Sequence, residues 1–366
     1  MKFISERSIL LKEIAIANEI IASKNVISIL SNILLEANEG KLTIKATDMK
    51  VNFETSVPVD VIENGSVTVY GDKFFGILNT APEGELEFEQ KDGYLSIKHG
   101  IKKAGSKLKT IASEKFPEFS VSAKDLFEIP VKDFKEMIQE TIFAVSDDET
   151  RYFMNGIFFE KLEGKFNMVA TDGRRLAFIS KPAGDQIEDF TGVIVPPKIL
   201  NVVMKRAGDE GIAGISVTDK TIFIQFGSYK LSSVIIEGQF PNYRRVIPES
   251  QVNSFTVKRL EMLEALRGVS VMVEQKSHRV YMGLSSGSLS LYCEENEYGE
   301  SRREISCQYE GEAVSIALNY RYLDEPFKVM PTDEISIHFT DPGKTITIKP
   351  VPEKDFFHIV MPMQQD

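Results

Sequence analysis

The sequence repeats itself three times, and this repeat constrains the fold more than any other feature. Phe116-Pro117 recurs as Phe240-Pro241, a step of 240 − 116 = 124 residues, and a third copy closes on Pro362, a further 362 − 241 = 121 residues along. Thr47-Asp48 recurs as Thr171-Asp172 with the same step, 171 − 47 = 124. Solenoid repeats span only about 20–50 residues, so this step is too long for them. It predicts three copies of one domain in series.

Each copy contains apolar residues at the spacing of a helix and, elsewhere, at the spacing of a strand. Apolar residues three and four apart predict an opening helix, through Leu10, Ile14, Ala17 and Ile21 in the first copy and through Phe134, Met137 or Ile138, Thr141 and Val145 in the second. Strict alternation predicts strands, as at Leu42, Ile44 and Ala46. Hairpin turn signals recur at Asp92-Gly93, Asp219-Lys220 and Asp341-Pro342-Gly343. About two helices and eight strands per copy indicate the α+β class, with domains at 1–123, 124–250 and 251–366.

Composition limits the function. The formal net charge of −11 argues against nucleic acid, unless the positive charge is gathered on one surface. The two cysteines, Cys293 and Cys307, fit neither a disulfide framework nor a four-ligand zinc site. A reducing cytoplasm is therefore the expected location. We expect no membrane association, since no segment approaches the ~18 apolar residues of a membrane span.

The sequence shows no catalytic constellation. Its four histidines are scattered, and it has neither a glycine-rich phosphate loop nor a dinucleotide fingerprint. We expect a non-catalytic protein without cofactor or metal. The least favoured alternative is a carboxylate-based hydrolase that uses Asp172 and Asp147. Against it, Thr171-Asp172-Gly173 is better explained as a hairpin turn, because Asp and Gly satisfy turn geometry. A scaffold of three repeats that binds peptides and forms no closed assembly is a second alternative.

Four motifs in this order, on a repeat of this period, resemble the bacterial DNA polymerase III beta subunit, or sliding clamp, over the whole chain. They are Arg151-Tyr152-Phe153-Met154-Asn155-Gly156, Thr171-Asp172-Gly173-Arg174-Arg175-Leu176-Ala177, Phe240-Pro241-Asn242-Tyr243-Arg244-Arg245-Val246-Ile247-Pro248 and Val360-Met361-Pro362-Met363.

The resemblance implies a head-to-tail homodimer, a closed ring of six clamp domains with helices inside and sheets outside. Such a ring encircles duplex DNA without reading sequence and confers processivity on the replicative polymerase. The implied partners are the polymerase III catalytic subunit, a clamp loader, and other replication and repair proteins that carry a clamp-binding peptide.

The resemblance also answers the charge objection, because helices that line the ring would gather the basic residues. The DNA-facing residues predicted in this way are Lys24, Lys73, Lys198, Lys205 and Arg206. A basic lumen meets phosphates and leaves bases unread, which suits sliding. The competing interpretation is that these are ordinary solvated helix faces.

The resemblance further implies a partner-peptide pocket and a dimer interface. The interface residues would be Val271 and Met272. Arg174 departs from the family, which often has histidine there, and a permanently charged guanidinium would make the rim of the pocket more basic. The competing interpretation of each apolar pocket residue is ordinary core packing, and for Leu176 or Val246 considered singly it is the favoured one. The predicted pocket residues are Met154, Thr171, Gly173, Arg174, Arg175, Leu176, Pro241, Arg245, Val246, Asn319, Tyr322, Val360, Met361, Pro362 and Met363.

Overall fold

The computed structural model describes residues 1–21, 28–100, 105–123, 127–183 and 190–364. The helices are α1 (Arg7–Ile20), α2 (Gly71–Thr80), α3 (Val131–Gln139), α4 (Pro197–Arg206), α5 (Arg259–Ser270) and α6 (Tyr320–Val329). The strands are β1 (Lys2–Glu6), β2 (Asn32–Asn38), β3 (Lys41–Thr47), β4 (Val51–Pro58), β5 (Asp60–Glu63), β6 (Gly65–Tyr70), β7 (Glu85–Lys91), β8 (Tyr94–His99), β9 (Gly105–Ile111), β10 (Phe127–Pro130), β11 (Ile157–Leu162), β12 (Lys165–Thr171), β13 (Arg175–Pro182), β14 (Phe190–Val195), β15 (Ile212–Val217), β16 (Thr221–Phe226), β17 (Tyr229–Val234), β18 (Asn253–Lys258), β19 (Arg279–Ser285), β20 (Ser288–Asn296), β21 (Gly299–Ser306), β22 (Val314–Asn319), β23 (Glu334–Phe339), β24 (Ile346–Val351) and β25 (Phe356–Val360).

The order of the elements repeats three times, as predicted. Each copy begins with a strand and a helix, continues with several strands and a second helix, and ends with three strands. Within the described ranges, each copy has two helices, and the strands number nine (β1–β9), eight (β10–β17) and eight (β18–β25). The α+β class is therefore confirmed.

The chain divides into two compact units, Met1–Phe134 with Lys198–Ile235, and Lys135–Pro197 with Ile236–Asp366. The first unit holds an antiparallel sheet of thirteen strands in the order β10-β15-β16-β17-β4-β3-β2-β6-β9-β8-β7-β1-β5. Strands β17 and β4 pair in register, with Lys230 opposite Glu54, and so join strands of two copies in one sheet. Helix α1 packs on α2, β3 and β4, and its Leu10, Ile14 and Ala17 are fully buried.

The second unit holds an eight-stranded sheet, β14-β11-β12-β13-β25-β24-β23-β18, and a four-stranded sheet, β21-β20-β19-β22. Strands β13 and β25 pair antiparallel, with Arg175 opposite Val360 and Leu176 opposite Ile359. This pairing brings residues 185 positions apart (360 − 175) to the same end of two neighbouring central strands. Helix α5 packs on β20, β21 and α6.

Local predictions from the sequence period are largely confirmed. Leu42, Ile44 and Ala46 are fully buried on β3. The three predicted hairpin turns join β7 to β8, β15 to β16 and β23 to β24. At the first of them, Asp92 and Gly93 both have positive φ, 51° and 77°, which is the backbone of a two-residue hairpin.

One predicted helix is too long. Helix α3 ends at Gln139, whereas the apolar period extended it through Thr141 and Val145. The hydroxyl of Thr141 donates to the carbonyl of Met137 at 2.7 Å, and a separate short turn follows at Ile142–Ala144. Thr141 is fully buried, as the period predicted, but it lies beyond the helix.

Candidate functional site

An apolar groove of about 490 Å³ lies in the second unit. Its walls come from the β12–β13 turn, the segment that follows Phe240, the β23–β24 turn and the end of the chain. Eleven of the predicted pocket residues line it: Met154, Thr171, Gly173, Arg174, Arg175, Leu176, Pro241, Arg245, Val246, Met361 and Pro362.

The β12–β13 turn is held by its own polar side chains. The amide of Gly173 donates to Thr171 Oγ1 at 3.0 Å, and one oxygen of Asp172 accepts from the amides of Arg174 and Arg175 at 2.9 and 3.1 Å. Gly173 has φ +87°, and a Cβ there would lie 2.9 Å from Arg151 Nη1. A side chain at this position would therefore be strained and crowded. The hairpin interpretation of Thr171-Asp172-Gly173 is confirmed.

Arg175 is a fixed wall of the groove. Its Nε donates to the second oxygen of Asp172 at 3.0 Å, its Nη2 donates to the Phe143 carbonyl at 2.6 Å, and its Nη1 bonds Glu325. Its guanidinium also lies 4.6 Å from the centre of the Tyr322 ring. Both Asp172 oxygens are therefore engaged in holding the turn and Arg175, which gives this carboxylate a structural explanation.

A buried carboxylate anchors the part of the groove wall that Tyr243 forms. Glu160 accepts from Asn167 at 3.1 Å, from Arg244 at 2.6 Å and from the hydroxyl of Tyr243. Burial, and then the bond to Glu160, raise the pKa of Tyr243, so the phenol stays protonated and donates. Because this anchor fixes Tyr243 inward, the same short turn presents Val246 outward, 49% exposed.

The segment from Met361 to Met363 is fixed by backbone bonds. The Met361 amide donates to the carbonyl of Arg174 at 2.9 Å, and the Met363 amide donates to the carbonyl of Ala317 at 2.8 Å. Val360 is buried in the sheet, while Met361 is 50% exposed at the groove. An apolar side chain held open in this way is available to a ligand.

Four predicted pocket residues do not line the groove. Asn319 accepts from the Arg321 amide at 3.0 Å and caps α6. Tyr322 contacts Arg175, Val360 is buried, and the Met363 side chain is partly buried outside the lining. A role for Asn319, Tyr322, Val360 or Met363 in binding stays a prediction.

Sequence reasoning missed six lining residues, which are Asn242, Tyr243, Gly343, Lys344, Thr345 and Ile359. Three of them belong to the β23–β24 turn, where Gly343 donates to Asp341 at 3.0 Å and Lys344 pairs with Asp341 at 2.8 Å. The turn itself was predicted from Asp341-Pro342-Gly343. Its position beside the groove follows from strand pairing, of which the local sequence carries no signal.

The predicted DNA-facing residues of α4 are engaged within the first unit. Lys198 Nζ lies 2.8 Å from Asp48 Oδ2 and donates to the Ile20 carbonyl at 2.6 Å. Lys205 pairs with Glu19 at 2.5 Å, and both side chains are about half exposed. Arg206 bonds buried Glu13 and the hydroxyl of Tyr229. Contact of these three cations with phosphate stays a prediction.

The remaining predicted residues occupy open positions or lie outside the described residues. Lys73 is exposed on α2, and Lys24 lies outside the described residues. Val271, just beyond α5, is 79% exposed, and the carbonyl of Met272 accepts from Asn296 at 2.7 Å. An interface role for Val271 and Met272 stays a prediction.

In the described ranges, no group of three or more His, Cys, Asp or Glu side chains is arranged to hold a metal ion. None of the helices in those ranges is both long enough and apolar enough to cross a membrane.

Solved structures define the class of the fold. A sliding clamp, DNA polymerase III subunit beta, from Pseudomonas aeruginosa bound to griselimycin matches with a TM-score of 0.91 and 26% identity, covering 100% of both chains. The DNA polymerase III beta subunit from Thermotoga maritima matches with a TM-score of 0.90 and 26% identity, again covering 100% of both chains. The chain has the three-domain clamp fold.

Sequence comparisons define the family. Models of the DNA polymerase III beta subunit match its N-terminal domain at residues 1–120, its central domain at 128–242 and its C-terminal domain at 244–364. The beta sliding clamp of Treponema pallidum is 45% identical over 371 residues, covering 100% of both chains. The chain therefore belongs to the DNA polymerase III beta subunit family, the beta sliding clamps, as the four motifs predicted.

Proposed function

We propose that two copies of this chain close head to tail into a ring around duplex DNA and act there as a processivity factor. The observation that carries the proposal is the match to a beta sliding clamp at 45% identity over the full length of both chains. The protein is non-catalytic and acts in the cytoplasm. It binds the polymerase III catalytic subunit, a clamp loader that opens the ring, and other replication and repair proteins.

The proposed domains are 1–123, 124–250 and 251–366. The family matches at 1–120 and 128–242 fall inside the first two and support them. The third match begins at 244, seven residues before the proposed boundary (251 − 244).

The groove is the proposed site for partner peptides. Its volume of about 490 Å³ lies within the range of sites that enclose a small ligand or a few side chains of a peptide. Leu176, Val246 and Met361 provide apolar walls, and a methionine adapts to varied apolar side chains. Arg175, fixed by its bonds to Asp172 and Glu325, shapes the polar side of the groove.

The test of the ring uses nicked circular DNA with a clamp loader and ATP. After loading, the complex is gel-filtered at high salt, before and after the circle is cut to a linear form. We expect the protein to stay on the circle and to leave the linear DNA, because salt removes phosphate contacts but not a topological link. A known sliding clamp in parallel verifies loading. Equal loss from both forms, with that control retained, would show a scaffold that does not close.

We expect the double change Val271→Glu and Met272→Glu to weaken the dimer. A carboxylate buried at an interface without a partner costs roughly 2 kcal/mol or more, which is about thirtyfold in the dissociation constant. Light scattering coupled to gel filtration, over a dilution series, measures it. Val252→Glu is the matched control, since Val252 is 80% exposed in the same unit. An unchanged dimer in the double variant would place the interface elsewhere.

A further inference from the structure

A buried contact between a carboxylate and an imidazole links the second and third copies. Glu140, just after α3, is 1% exposed, and His358 on β25 is 2% exposed. Oε2 of Glu140 lies 3.1 Å from Nε2 of His358. Both residues belong to the second compact unit, and their contact holds the end of α3 on a strand of the third copy. Because solvent reaches neither group, water cannot take the place of either partner.

The surroundings of the Glu140–His358 pair are apolar. Measured between ring centres, Phe143 lies 5.3 Å from the imidazole, and Phe356 lies 5.9 Å from it. On the two neighbouring strands, apolar residues lie opposite His358, Ala177 on one side and Ile348 on the other. An ionised carboxylate in such an environment is strongly destabilising unless a cation compensates its charge.

The other charged groups around the pair are bonded to one another. Those that face it are Glu136 on α3, Arg175 and Lys181 on β13, Glu325 on α6 and Asp355 just before β25. Lys181 lies 2.8 and 3.2 Å from the first and the last of these carboxylates, and Arg175 bonds Glu325. Among the described residues, His358 is therefore the one partner that can compensate the charge of Glu140.

The second ring nitrogen of His358 decides which form of the pair is favoured. Nδ1 is buried and has no hydrogen-bond partner among the described residues. A neutral imidazole that donates through Nε2 would leave Glu140 as an uncompensated buried charge. A second proton on the ring turns the contact into a pair of opposite charges and leaves one N–H unmatched. Compensation of the charge is the larger effect, because an unpaired buried charge costs more than an unmatched donor.

We propose that the Glu140–His358 pair is a proton-dependent link between the second and third copies. In the folded protein His358 keeps its second proton, and release of that proton to solvent at alkaline pH loosens the contact of α3 with β25. In the unfolded chain the imidazole is hydrated and loses this proton at about pH 6.5. Folding therefore retains a proton that the unfolded chain has released, so the stability of the folded protein falls as the pH rises above that value.

Urea unfolding at a series of pH values from about 7 to 9 tests the link in the intact protein. The reference is the double variant Glu140→Gln with His358→Gln, in which two neutral amides can bond each other. All other titrating groups are common to both proteins. Relative to this variant, we expect the unfolding equilibrium constant of the intact protein to rise about tenfold for each pH unit, because one proton is released on unfolding. The same pH dependence in both proteins would overturn the proposal.

His338→Gln is the matched control. His338 lies on β23 of the same sheet, and its Nε2 bonds the hydroxyl of Ser336 at 3.0 Å, so its partner carries no charge. Burial, and then the charge of Lys349, lower the pKa of His338, so this ring is neutral throughout the range. We expect the control to keep the pH dependence of the intact protein. Loss of that dependence in the control would assign the effect to another group and would also overturn the proposal.

Nuclear magnetic resonance decides the matter even where the double variant does not fold. The chain has four histidines, so carbon labels on the imidazole rings give few signals. Replacement of His99, His278 and His338 by Gln, one at a time, assigns the remaining signal to His358. At about pH 8 we expect this signal to have the chemical shift of a protonated ring, whereas a free imidazole is neutral there. A neutral His358 ring at this pH would contradict the proposal directly.

Hydrogen exchange shows whether the loosening is local. After correction for the intrinsic rate, we expect the amides of β25 and of the last turn of α3 to lose protection several-fold more than those of β20 between about pH 7 and 9. In the double variant we expect the same change in all three elements. Equal loss in β25 and β20 of the intact protein would mean that the proton stabilises the whole unit, and the proposed local link would then be wrong.

Discussion

Val246→Glu is expected to lower the affinity of the groove for partner peptides by about 100-fold while the fold stays intact. Val246 is half exposed at the groove, so a glutamate there is hydrated in the free protein. A bound peptide would remove that water. The lost apolar contact and the desolvated charge together cost roughly 3 kcal/mol, which corresponds to about 100-fold in the dissociation constant.

Calorimetry with a peptide selected on the intact protein from a random library measures the loss, and thermal unfolding checks the fold. Val252→Glu serves as the control, since it adds the same charge at an 80% exposed valine outside the groove. We expect this control to change peptide affinity less than about twofold. Equal loss in both variants would mean that added charge, and not the groove, governs binding.

The sequence predicted the elements of the fold well where the cause is local. Alternation placed Leu42, Ile44 and Ala46 inside, and all three are buried. Turn chemistry located the β12–β13 hairpin, because Asp172 satisfies two turn amides and Gly173 takes a positive φ. The apolar spacing predicted α3 too long, because the chain stays buried beyond the last hydrogen bond of the helix. Apolar spacing alone does not distinguish a helix from a buried turn that follows it.

The groove could be predicted only in part, because it is a product of long-range pairing. The family motifs located the β12–β13 turn, the segment at Pro241 and the end of the chain. The pairing of Arg175 with Val360 brings the first and last of these together, and nothing local to either strand encodes that choice. The turn that carries Lys344 was missed for the same reason, although its hairpin was predicted correctly.

Charge shows a further limit of sequence reasoning. The sequence does not show whether a lysine or arginine on a helix faces solvent, DNA or a carboxylate of its own chain. Lys198 and Arg206 were predicted as DNA-facing, and in the structure each bonds an acidic residue of the first unit. An exposed pair is weak enough to exchange for phosphate, whereas a buried pair is not. The burial of each ion pair therefore separates the predicted DNA-facing residues into those that can exchange their partner for phosphate and those that cannot.

Arg206→Met is expected to destabilise the protein by about 3–5 kcal/mol, because it leaves a buried carboxylate without its cation. Glu13 is only 5% exposed on α1, and it accepts from Arg206 and from the hydroxyl of Tyr229 at 2.9 Å. Burial, followed by the nearby Glu13 charge, raises the pKa of Tyr229 to about 12, so the phenol stays a donor and does not replace the guanidinium.

Urea unfolding measures this loss, with hydrogen exchange on α1 and α4 to localise it. Lys205→Met is the matched control on the same helix, since the Lys205–Glu19 pair is half exposed and contributes about 1 kcal/mol or less. Adding Glu13→Gln to Arg206→Met should restore part of the stability, because a neutral amide replaces the unpaired charge. If Arg206→Met instead kept full stability and lowered the salt concentration at which the protein leaves linear duplex DNA, Arg206 would be a DNA ligand. Because Glu13 is buried, we expect Arg206 to have a structural role, in which it holds α4 to α1. Lys205, whose pair with Glu19 is half exposed, is the residue that we expect to exchange its carboxylate for phosphate.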